Sequence, residues 1–272
     1  MLDGQQAAAS WPGAKHENFA AGEALGRAAA ARVLAYAAGD HIGLTNPGAP
    51  PLGPGYWIWN GGPIAYAFLG ARPVFLESGD EFGPGPPPTF GSPEFNAAIA
   101  EVRQVSDNRT AEQLAIALYW NANQSPRSAA AAMGIARDLI VSHHRSDVEA
   151  ARIMFVMSGA AFDALIGCWD AKYHYWFIRP PQADPAIVTA FPTPPHPSYP
   201  AGHSCASGAM MGVLSAEFPS ERDRLAAVAE EASLSRLYAG IHYRFDMEVG
   251  LALGHAVAEK AERANLEEVG VQ

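Results

Sequence analysis

The stretch that decides the fold class runs from Asp147 to Trp176 and reads DVEAARIMFVMSGAAFDALIGCWDAKYHYW. Its apolar residues recur at helical spacing, and Ser146 stands before it in the position of a helix cap. Other segments show the same periodicity, and we find no convincing series of strands. The sequence therefore predicts an all-α protein. The other predicted helices are 18–36, 92–120, 128–144, 204–217, 221–237 and 246–264.

Residues 43–92 interrupt this pattern with a composition of Gly, Pro and aromatic residues. Prolines at this density exclude a continuous helix or a central strand, while the aromatic residues indicate a packed segment that lines a pocket. A second Pro-rich stretch, 179–203, is expected to cross between helices in extended form. We expect one helical domain over residues 1–272, with a flexible start at 1–17 and with the anion-binding groups described below at 165–250.

The charge balance and the cysteines argue against several classes of function. The chain has 28 acidic and 18 basic residues and a net charge of -10, so its average surface repels nucleic acids and anionic lipids. No stretch is expected to reach the ~20 apolar residues of a membrane span, although an export signal that had been removed would leave no trace. Cys168 and Cys205 are interpreted as small buried apolar residues, and a disulfide between them stays open.

Three groups of cationic and histidine residues stand near predicted helix ends in the second half of the chain. In the first, Lys172 and Arg179 lie seven residues apart on a predicted helix that Pro180 ends. Seven residues are about two helical turns, so both cations are expected on one side, where they can share the oxygens of a phosphate-like anion. Taken alone, such a pair is typical of a solvated helix face.

The second group is residues 200–204, which read PAGHS and stand directly before an apolar helical run. Gly202 allows the backbone to approach a ligand, and the amides at a helix start favour anions. His203 is a candidate general acid or base because the ordinary pKa of histidine is near neutrality. A helix-capping or core histidine is the alternative.

The third group is residues 235–246, which read SRLYAGIHYRFD. Gly240 is expected to break a helix, and His242 and Asp246, four residues apart, are expected to share one face of the next turn. A carboxylate near a histidine fixes the tautomer and raises the basicity of the ring, as suits a covalent or metal-bound nitrogen. If this stretch stood alone, a surface pair of His and Asp would be favoured.

Taken in order, the three groups resemble the tripartite signature of the type 2 phosphatidic acid phosphatase and vanadium haloperoxidase superfamily. The matching residues are Lys172 and Arg179-Pro180, then Pro200-Ala201-Gly202-His203, then Ser235-Arg236, His242 and Asp246. The flanks at 107–120, 163–180 and 235–246 resemble bacterial vanadium-dependent haloperoxidases, and the resemblance covers roughly 22–257. It implies a helical bundle of that type with long Pro/Gly-rich loops.

The resemblance also implies a role for each matching residue. The oxygens of vanadate, or of phosphate as substrate or analogue, would be held by Lys172, Arg179, Gly202, His203 and Arg236. His203 would be the acid-base residue, His242 would bind vanadium, and Lys172 would polarise the bound oxygens. The supporting residues would be Asp246, Trp169, His196 and Ser235.

Two residues depart from the pattern of the superfamily, and a third bears on the halide. Ala201 replaces the usual serine of the second motif, so one hydrogen bond to the anion is absent unless Ser204 or water supplies it. Asn123 lies at or near the place of an aspartate that tunes the acid-base histidine, here His203, in fungal and algal members. His196 matches algal brominating members rather than the phenylalanine of fungal chlorinating ones, which favours bromide or iodide over chloride.

The sequence therefore predicts a vanadate-dependent peroxidase that oxidises halide with hydrogen peroxide, with a small organic acceptor as a further partner. An acid phosphatase or phosphoesterase that uses His242 as the phosphoryl acceptor is the alternative enzyme, and an oxyanion-binding protein without turnover is the non-enzymatic alternative. Neither a nucleic-acid partner nor a membrane span is expected. The superfamily's members are often exported and often dimeric, so a periplasmic or extracellular location and a homodimer stay open.

Overall fold

The structure, a computed structural model, describes residues 19–121 and 127–268. Within these ranges it consists of helices and irregular segments, and the only pairing of extended backbone there is an isolated antiparallel bridge between Tyr56 and Phe177. The predicted all-α fold class is therefore confirmed. The flexible start predicted at 1–17 lies outside the described residues.

Two compact units divide the chain, Met1–His41 and Ile42–Gln272. The first contains α1, Phe19–Ala37, which buries none of its side chains. The second contains the other described helices, and the single domain expected over 1–272 stays a prediction. These helices are α2 (Pro93–Asn108), α3 (Ala111–Tyr119), α4 (Arg127–Ser142), α5 (Asp147–Tyr175), α6 (Pro180–Ala183), α7 (Gly202–Glu217), α8 (Arg222–Tyr238) and α9 (Arg244–Glu268), with a 3₁₀ turn at Pro219–Glu221.

The helix predicted over 92–120 is two helices in the structure. The first ends at Asn108, and Thr110 begins the second with a capping box. In this box the Thr110 side chain accepts a hydrogen bond from the Gln113 amide, and the Gln113 side chain accepts one from the Thr110 amide. A reciprocal cap of this kind starts a new helix where apolar periodicity alone continues, so the prediction of one long helix was wrong.

The helix predicted to carry both Lys172 and Arg179 ends before it reaches Arg179. Its last residue is Tyr175, because Trp176 takes a left-handed conformation with φ 50° and ψ 35°. Arg179 lies in extended backbone directly before Pro180, which starts the four-residue helix α6. The argument from two turns of one helix was therefore wrong.

Helix α7 is fixed by close contacts with its neighbours α5, α8 and most of all α9. Glycines allow the α7 and α9 backbones to touch. A Cβ on Gly208 would lie 2.8 Å from the carbonyl oxygen of Leu251, and one on Gly254 would collide with the carbonyl oxygen of Cys205. Because α7 is held in this way, the position of its first residue, Gly202, is set by the core.

Among the described helices, α5 alone is long and apolar enough to cross a membrane by length and composition, which the sequence reading did not expect. In the structure 56% of its most apolar window is buried within the molecule. Its side chains Ile153, Val156 and Met157 pack in the main hydrophobic cluster with residues of α7 and α9. Core helices of soluble proteins meet the same criterion, so this helix is weak evidence for a membrane span.

The Pro-rich segment 43–92 has no helix or strand and packs against α5 and the residues that follow it. Trp57 stacks on Trp176 with ring centroids 6.3 Å apart, and its amide donates to the Trp176 carbonyl. Asp163 of α5 accepts hydrogen bonds from the backbone amides of residues 74–76 at 2.7, 2.6 and 3.0 Å. A buried carboxylate thus ties the irregular segment to the central helix.

Candidate active site

Several segments that are distant in sequence meet at one cavity of about 390 Å³. They are the irregular segment at Ala65, the end of α3, the C-terminal half of α5, the Pro-rich stretch 179–203, the start of α7, and the last turn of α8 with the loop that follows it. The predicted site residues that line the cavity are Trp169, His196, Gly202, His203, Arg236 and His242. The remaining four are buried behind the wall, each in contact with a lining residue: Lys172, Arg179, Ser235 and Asp246.

His242 precedes α9, on the turn that Gly240 makes with a φ of 75°. Its Nδ1 lies 2.8 Å from Oδ2 of the fully buried Asp246, so the pair expected from the spacing is formed. An ionised carboxylate only accepts hydrogen bonds, so Nδ1 carries the proton and Nε2 presents a lone pair. Burial holds the pKa of His242 well below its usual value, and the cations of Arg179 and Lys172 lower it further.

Asp246 has a second partner that the sequence did not suggest. The hydroxyl of Ser198 donates to Oδ2 at 2.6 Å, and the Tyr243 amide approaches the same oxygen at 3.2 Å. Burial raises the pKa of Asp246 to about 6, while the Ser198 hydrogen bond and the nearby cations act in the opposite direction. The carboxylate is therefore ionised at neutral pH and fixes the His242 ring.

Arg179 is the centre of the hydrogen-bond network behind the cavity. Its Nε donates to the His196 carbonyl at 3.0 Å and its Nη1 to the Ile241 carbonyl at 2.8 Å. Nη1 also lies 2.9 Å from His242 Nε2, and Nη2 lies 3.0 Å from His196 Nδ1. The guanidinium thus joins the Pro-rich stretch to the loop that carries His242.

Lys172 is fully buried, and its ammonium points at the backbone rather than into the cavity. Nζ donates to the carbonyl oxygens of Pro197, Ser198 and Pro200 at 2.9, 2.8 and 2.5 Å. These contacts use all three hydrogens of the ammonium group. In this conformation Lys172 therefore has no N–H hydrogen left to donate to an anion, and its role in holding the anion stays a prediction.

Arg236 reaches the cavity from the last turn of α8. Its Nε donates to the hydroxyl of Ser235 at 2.9 Å, and its Nη2 donates to the carbonyl of Ala117 at 3.2 Å. The guanidinium carbon lies 5.3 Å from the centre of the Phe191 ring. Ser235 therefore contacts the guanidinium of Arg236 and does not line the cavity itself.

His203 and Gly202 form the first turn of α7, as the second sequence group indicated. No side chain caps this helix end, because the N-cap residue is Ala201. His203 Nε2 lies 2.8 Å from the carbonyl of Trp120, so Nε2 carries the proton and Nδ1 can accept one. Burial lowers the pKa of His203 to about 3, with Arg236 as the next cause, so the ring is neutral at pH 7.

His196 and Trp169 complete the predicted lining. Their ring centroids are 5.1 Å apart, and the indole Nε1 of Trp169 donates to the Ala65 carbonyl at 2.8 Å. Burial and the neighbouring Lys172 and Arg179 hold the pKa of His196 well below its usual value. His196 is therefore a neutral hydrogen-bond acceptor for Arg179 at neutral pH.

The buried charges at this site leave an excess of positive charge. Burial lowers the pKa of Lys172 to about 8, of Arg179 to about 10 and of Arg236 to about 9, and Arg179 adds to the shift of Arg236. Asp246 is the buried carboxylate that faces them. Cations that are desolvated and repel one another favour an anionic ligand, so the residues present fit a small tetrahedral oxyanion.

Some residues of the site were not predicted from the sequence. One residue that was considered as an alternative donor does not face the cavity. The Trp120 carbonyl, Ser198 and Ser207 had no motif to indicate them. Ser204, weighed as a replacement for the missing serine, instead pairs with Ser233 at 2.6 Å in the α7–α8 contact. Asn123 lies outside the described residues.

The comparisons with known proteins cover the part of the chain that carries this site. The family model of the PAP2 superfamily matches residues 155–259, which contain all three sequence groups. Among solved structures, a bacterial vanadium-dependent iodoperoxidase is similar with a TM-score of 0.67 and 29% identity, over 77% of this chain and 60% of that chain. The resemblance to this superfamily is therefore confirmed.

A bacterial vanadium-dependent chloroperoxidase is also similar, at 14% identity in both of its forms, and this likeness shows the fold alone. The apo form has a TM-score of 0.66 over 83% of this chain and 64% of that chain. The holo form has a TM-score of 0.63 over 82% of this chain and 58% of that chain. Of the iodoperoxidase described above, this chain spans about 60% of the length. No curated protein matched the chain.

Proposed function

We propose that the chain is a vanadium-dependent haloperoxidase, on the premise that its residues 155–259 match the family model of the PAP2 superfamily. It would oxidise a halide with hydrogen peroxide. The observation that carries the proposal is the His242 ring, whose Nδ1 is fixed by a buried carboxylate while Nε2 turns to a buried guanidinium. A nitrogen lone pair among buried cations suits an oxyanion whose central atom accepts that lone pair.

In the proposed enzyme His242 Nε2 would bind vanadium, and the oxygens of vanadate would face Arg179, Arg236 and the amide of Gly202. Bound vanadate supplies a Lewis acid that activates peroxide towards halide. Lys172 would support the anion through its charge and by holding the backbone of residues 197–200. A direct hydrogen bond from Lys172 would require one of its carbonyl contacts to break.

His203 would transfer the proton of the incoming peroxide. Because Trp120 holds its Nε2–H, the exchange takes place at Nδ1. An anion beside the ring favours the imidazolium form, so binding of vanadate would raise the pKa of His203 from about 3. A base of this kind accepts a proton when the anion is present and releases it when the product leaves.

Bromide or iodide is the proposed halide. His196 lines the cavity beside Trp169, at the position where the sequence matched brominating rather than chlorinating relatives. The relative at 29% identity is named an iodoperoxidase, which supports the same choice. Bromide and iodide are also oxidised more easily than chloride, so a less strongly oxidising site is sufficient for them.

An acid phosphatase is the second candidate, and Ala201 is the observation that favours it, because the serine usual at this position is missing. In that reaction His242 Nε2 would attack phosphorus, and His203 would protonate the leaving alcohol. An oxyanion-binding protein without turnover is the third candidate, since a fold does not guarantee catalysis.

The test is reconstitution of the full chain with orthovanadate, followed by assays of bromide and iodide oxidation by peroxide. We expect oxidation of both halides that depends on added vanadate. Absence of oxidation would refute the peroxidase. Phosphate release from an aryl phosphate, inhibited competitively by vanadate, would select the phosphatase. Bound vanadate with both assays silent would select the oxyanion-binding protein.

A further inference from the structure

The two cysteines of the chain lie in contact beneath the start of α7. Cys168 belongs to α5 and Cys205 to the first turn of α7, and both are fully buried in the main hydrophobic cluster. Both carry free thiols, and their side chains hydrogen-bond to each other. Two thiols that touch can be joined by oxidation, so the pair has a chemistry beyond apolar packing.

The surroundings of Cys168 are electropositive. Its thiol approaches the carbonyl oxygen of Pro200 at 3.7 Å, and the ammonium of Lys172 donates to the same oxygen. Burial raises the pKa of Cys168, but the hydrogen bond from Cys205 and the charges of Lys172 and Arg179 outweigh burial and leave this pKa below its usual value. The thiolate, which is the form that attacks peroxide, is therefore favoured at Cys168.

Cys205 has the opposite character. Burial and the hydrogen bond with Cys168 hold the pKa of Cys205 well above its usual value. Its sulfur therefore keeps the proton while it stays in contact with Cys168. When an acidic thiol touches a protonated one, the first reacts with the oxidant and the second converts the product to a disulfide.

Cys168 lies directly behind the wall of the candidate active site. Gly202 lines the cavity, and a Cβ at that residue would lie 4.0 Å from the sulfur of Cys168. Trp169, the next residue along α5, lines the cavity as well. A residue without a side chain thus stands between the cavity and the sulfur, and a small local opening of the helix start admits a molecule as small as hydrogen peroxide.

We propose that Cys168 and Cys205 are a peroxide-oxidisable dithiol, which forms a disulfide between α5 and the first turn of α7. The bond ties the helix start that carries Gly202 to the central helix of the fold. This modification goes beyond the proposed function, because it needs hydrogen peroxide but neither vanadate nor halide.

The reaction balances with peroxide as the oxidant. The Cys168 sulfur attacks one oxygen of hydrogen peroxide, an S–O bond forms as the O–O bond breaks, and the other oxygen leaves as water with the proton of the Cys168 thiol. The Cys205 sulfur then attacks the Cys168 sulfur. The S–S bond forms as the S–O bond breaks, and the second water leaves with the proton of Cys205. Two thiols and one peroxide thus give one disulfide and two waters, and peroxide takes two electrons from the sulfurs.

The test is treatment of the full chain with a small excess of hydrogen peroxide, without vanadate or halide, followed by measurement of the intact mass. We expect the mass to fall by about 2 Da, the mass of the two thiol hydrogens. The product should run as a single chain on a non-reducing denaturing gel. Alkylation after unfolding should find no free thiol, and dithiothreitol should restore both. Oxidation of methionine adds oxygen, so it is recognised by a gain of mass.

Two single-cysteine variants test the role of each sulfur. In Cys205→Ala the product of the first step has no partner, so we expect a sulfenic acid at Cys168 that dimedone traps. In Cys168→Ala we expect Cys205 to be oxidised at least ten-fold more slowly than Cys168 is in Cys205→Ala, because its raised pKa keeps the thiol protonated. Peptide mass spectrometry locates the modified sulfur.

The outcomes separate this inference from the proposed function. Wild-type protein that keeps both thiols while its methionines gain oxygen would overturn the dithiol, even if neither variant folds. A disulfide that joins two chains would overturn it as well. Equal oxidation rates in the two variants would show that Cys168 is not the attacking sulfur. If the disulfide forms within the wild-type chain while bromide and iodide are not oxidised, the dithiol stands and the peroxidase does not.

Discussion

Nη1 of Arg179 lies 2.9 Å from Nε2 of His242, so a guanidinium occupies the place that a ligand of this nitrogen would take. Asp246 Oδ2 lies 2.8 Å from the other ring nitrogen, Nδ1. A flipped ring would lose this hydrogen bond, so the orientation of the ring is fixed. An oxyanion that binds Nε2 must therefore enter between the ring and the guanidinium. The guanidinium then exchanges a nitrogen acceptor for an anionic oxygen, which forms the stronger hydrogen bond.

Arg179→Lys is expected to weaken orthovanadate binding at least ten-fold. Lysine cannot reproduce the planar fork that reaches His196, Ile241 and His242 at once. Isothermal calorimetry with orthovanadate measures the change. Arg244→Lys is the matched control, because Arg244 pairs with Glu101 at the surface. Equal affinity in Arg179→Lys and wild type would contradict the assigned contact.

His242→Ala is expected to abolish vanadate-dependent turnover while the helical fold is retained. One side chain that faces a cavity contributes little to the core, so far-ultraviolet circular dichroism should match wild type. His174→Ala, at an exposed position on α5, is the control. Turnover that survives in His242→Ala would remove this residue from the mechanism.

Ser198→Ala is expected to shift the acid limb of vanadate binding to higher pH. The Ser198 hydroxyl favours the ionised form of Asp246, whose pKa is about 6, so its loss raises that pKa further. Asp246 then becomes protonated, and stops orienting His242, at a less acid pH. The measurement is affinity for orthovanadate between pH 5 and 8.

Two outcomes would separate positioning from a merely structural role of Ser198. Ser198→Thr keeps the hydroxyl and is expected to restore the wild-type pH profile. A uniform loss of affinity in Ser198→Ala at every pH, without a shift of the profile, would show that the hydroxyl does not act through Asp246.

Ala201→Ser is expected to tighten orthovanadate binding roughly three- to ten-fold, which corresponds to the net contribution of one added hydrogen bond, about 0.5–1.5 kcal/mol. The new hydroxyl would stand at the N-cap of α7, where no side chain now caps the helix. Ser204→Ala is the control, because Ser204 bonds to Ser233 away from the cavity. Weaker binding in Ala201→Ser would mean that the buried position has no room for a hydroxyl.

The free energy of unfolding is expected to rise between pH 5 and pH 7 in phosphate-free buffer. Burial lowers the pKa of His203 to about 3, and those of His196 and His242 well below 6.5. The unfolded chain therefore binds more protons than the folded chain below pH 6.5, and stability is lost as pH falls through that window. For His203 alone, the free energy of unfolding at pH 5 is about 2 kcal/mol lower than at pH 7.

Four carboxyl groups act against this trend, because burial also raises the pKa values of Asp163 and Asp170. Burial raises the pKa of Asp246 to about 6 and that of Glu262 to about 7, so each contributes stability at low pH that is lost as pH rises through these values. The three histidines are expected to outweigh the acids in this window, which leaves a net rise in the free energy of unfolding from pH 5 to pH 7. Urea unfolding at several pH values measures it. A stability that is flat or falls from pH 5 to 7 would show that the histidines are not desolvated.

The sequence predicted those parts of the site that depend on local spacing. Gly202 and His203 at a helix start, and His242 four residues before Asp246, follow from short-range geometry and are found in the structure. Lys172 differs, because its three carbonyl partners lie on residues 197–200, whose path is set by tertiary contacts. No periodicity or motif specifies such a path.

Helix ends were predicted less well than the helices themselves, for a similar reason. The left-handed conformation of Trp176 ends α5, yet Trp is a residue that rarely takes it, so the sequence carries no signal for this stop. Stacking on Trp57 from the distant irregular segment compensates for it. Arg179 reaches its partners through that bend rather than along a helix.

The glycine contacts between α7 and α9 limit which positions of the molecule tolerate substitution. Any side chain larger than hydrogen at Gly208 or Gly254 would force the two backbones apart and carry Gly202 with them. Substitutions should therefore be better tolerated at residues that line the cavity, such as Leu165 or Met210, and in the Pro-rich stretches. Because the packing of α7 against α9 does not depend on these residues, their exchange should leave the position of Gly202 unchanged.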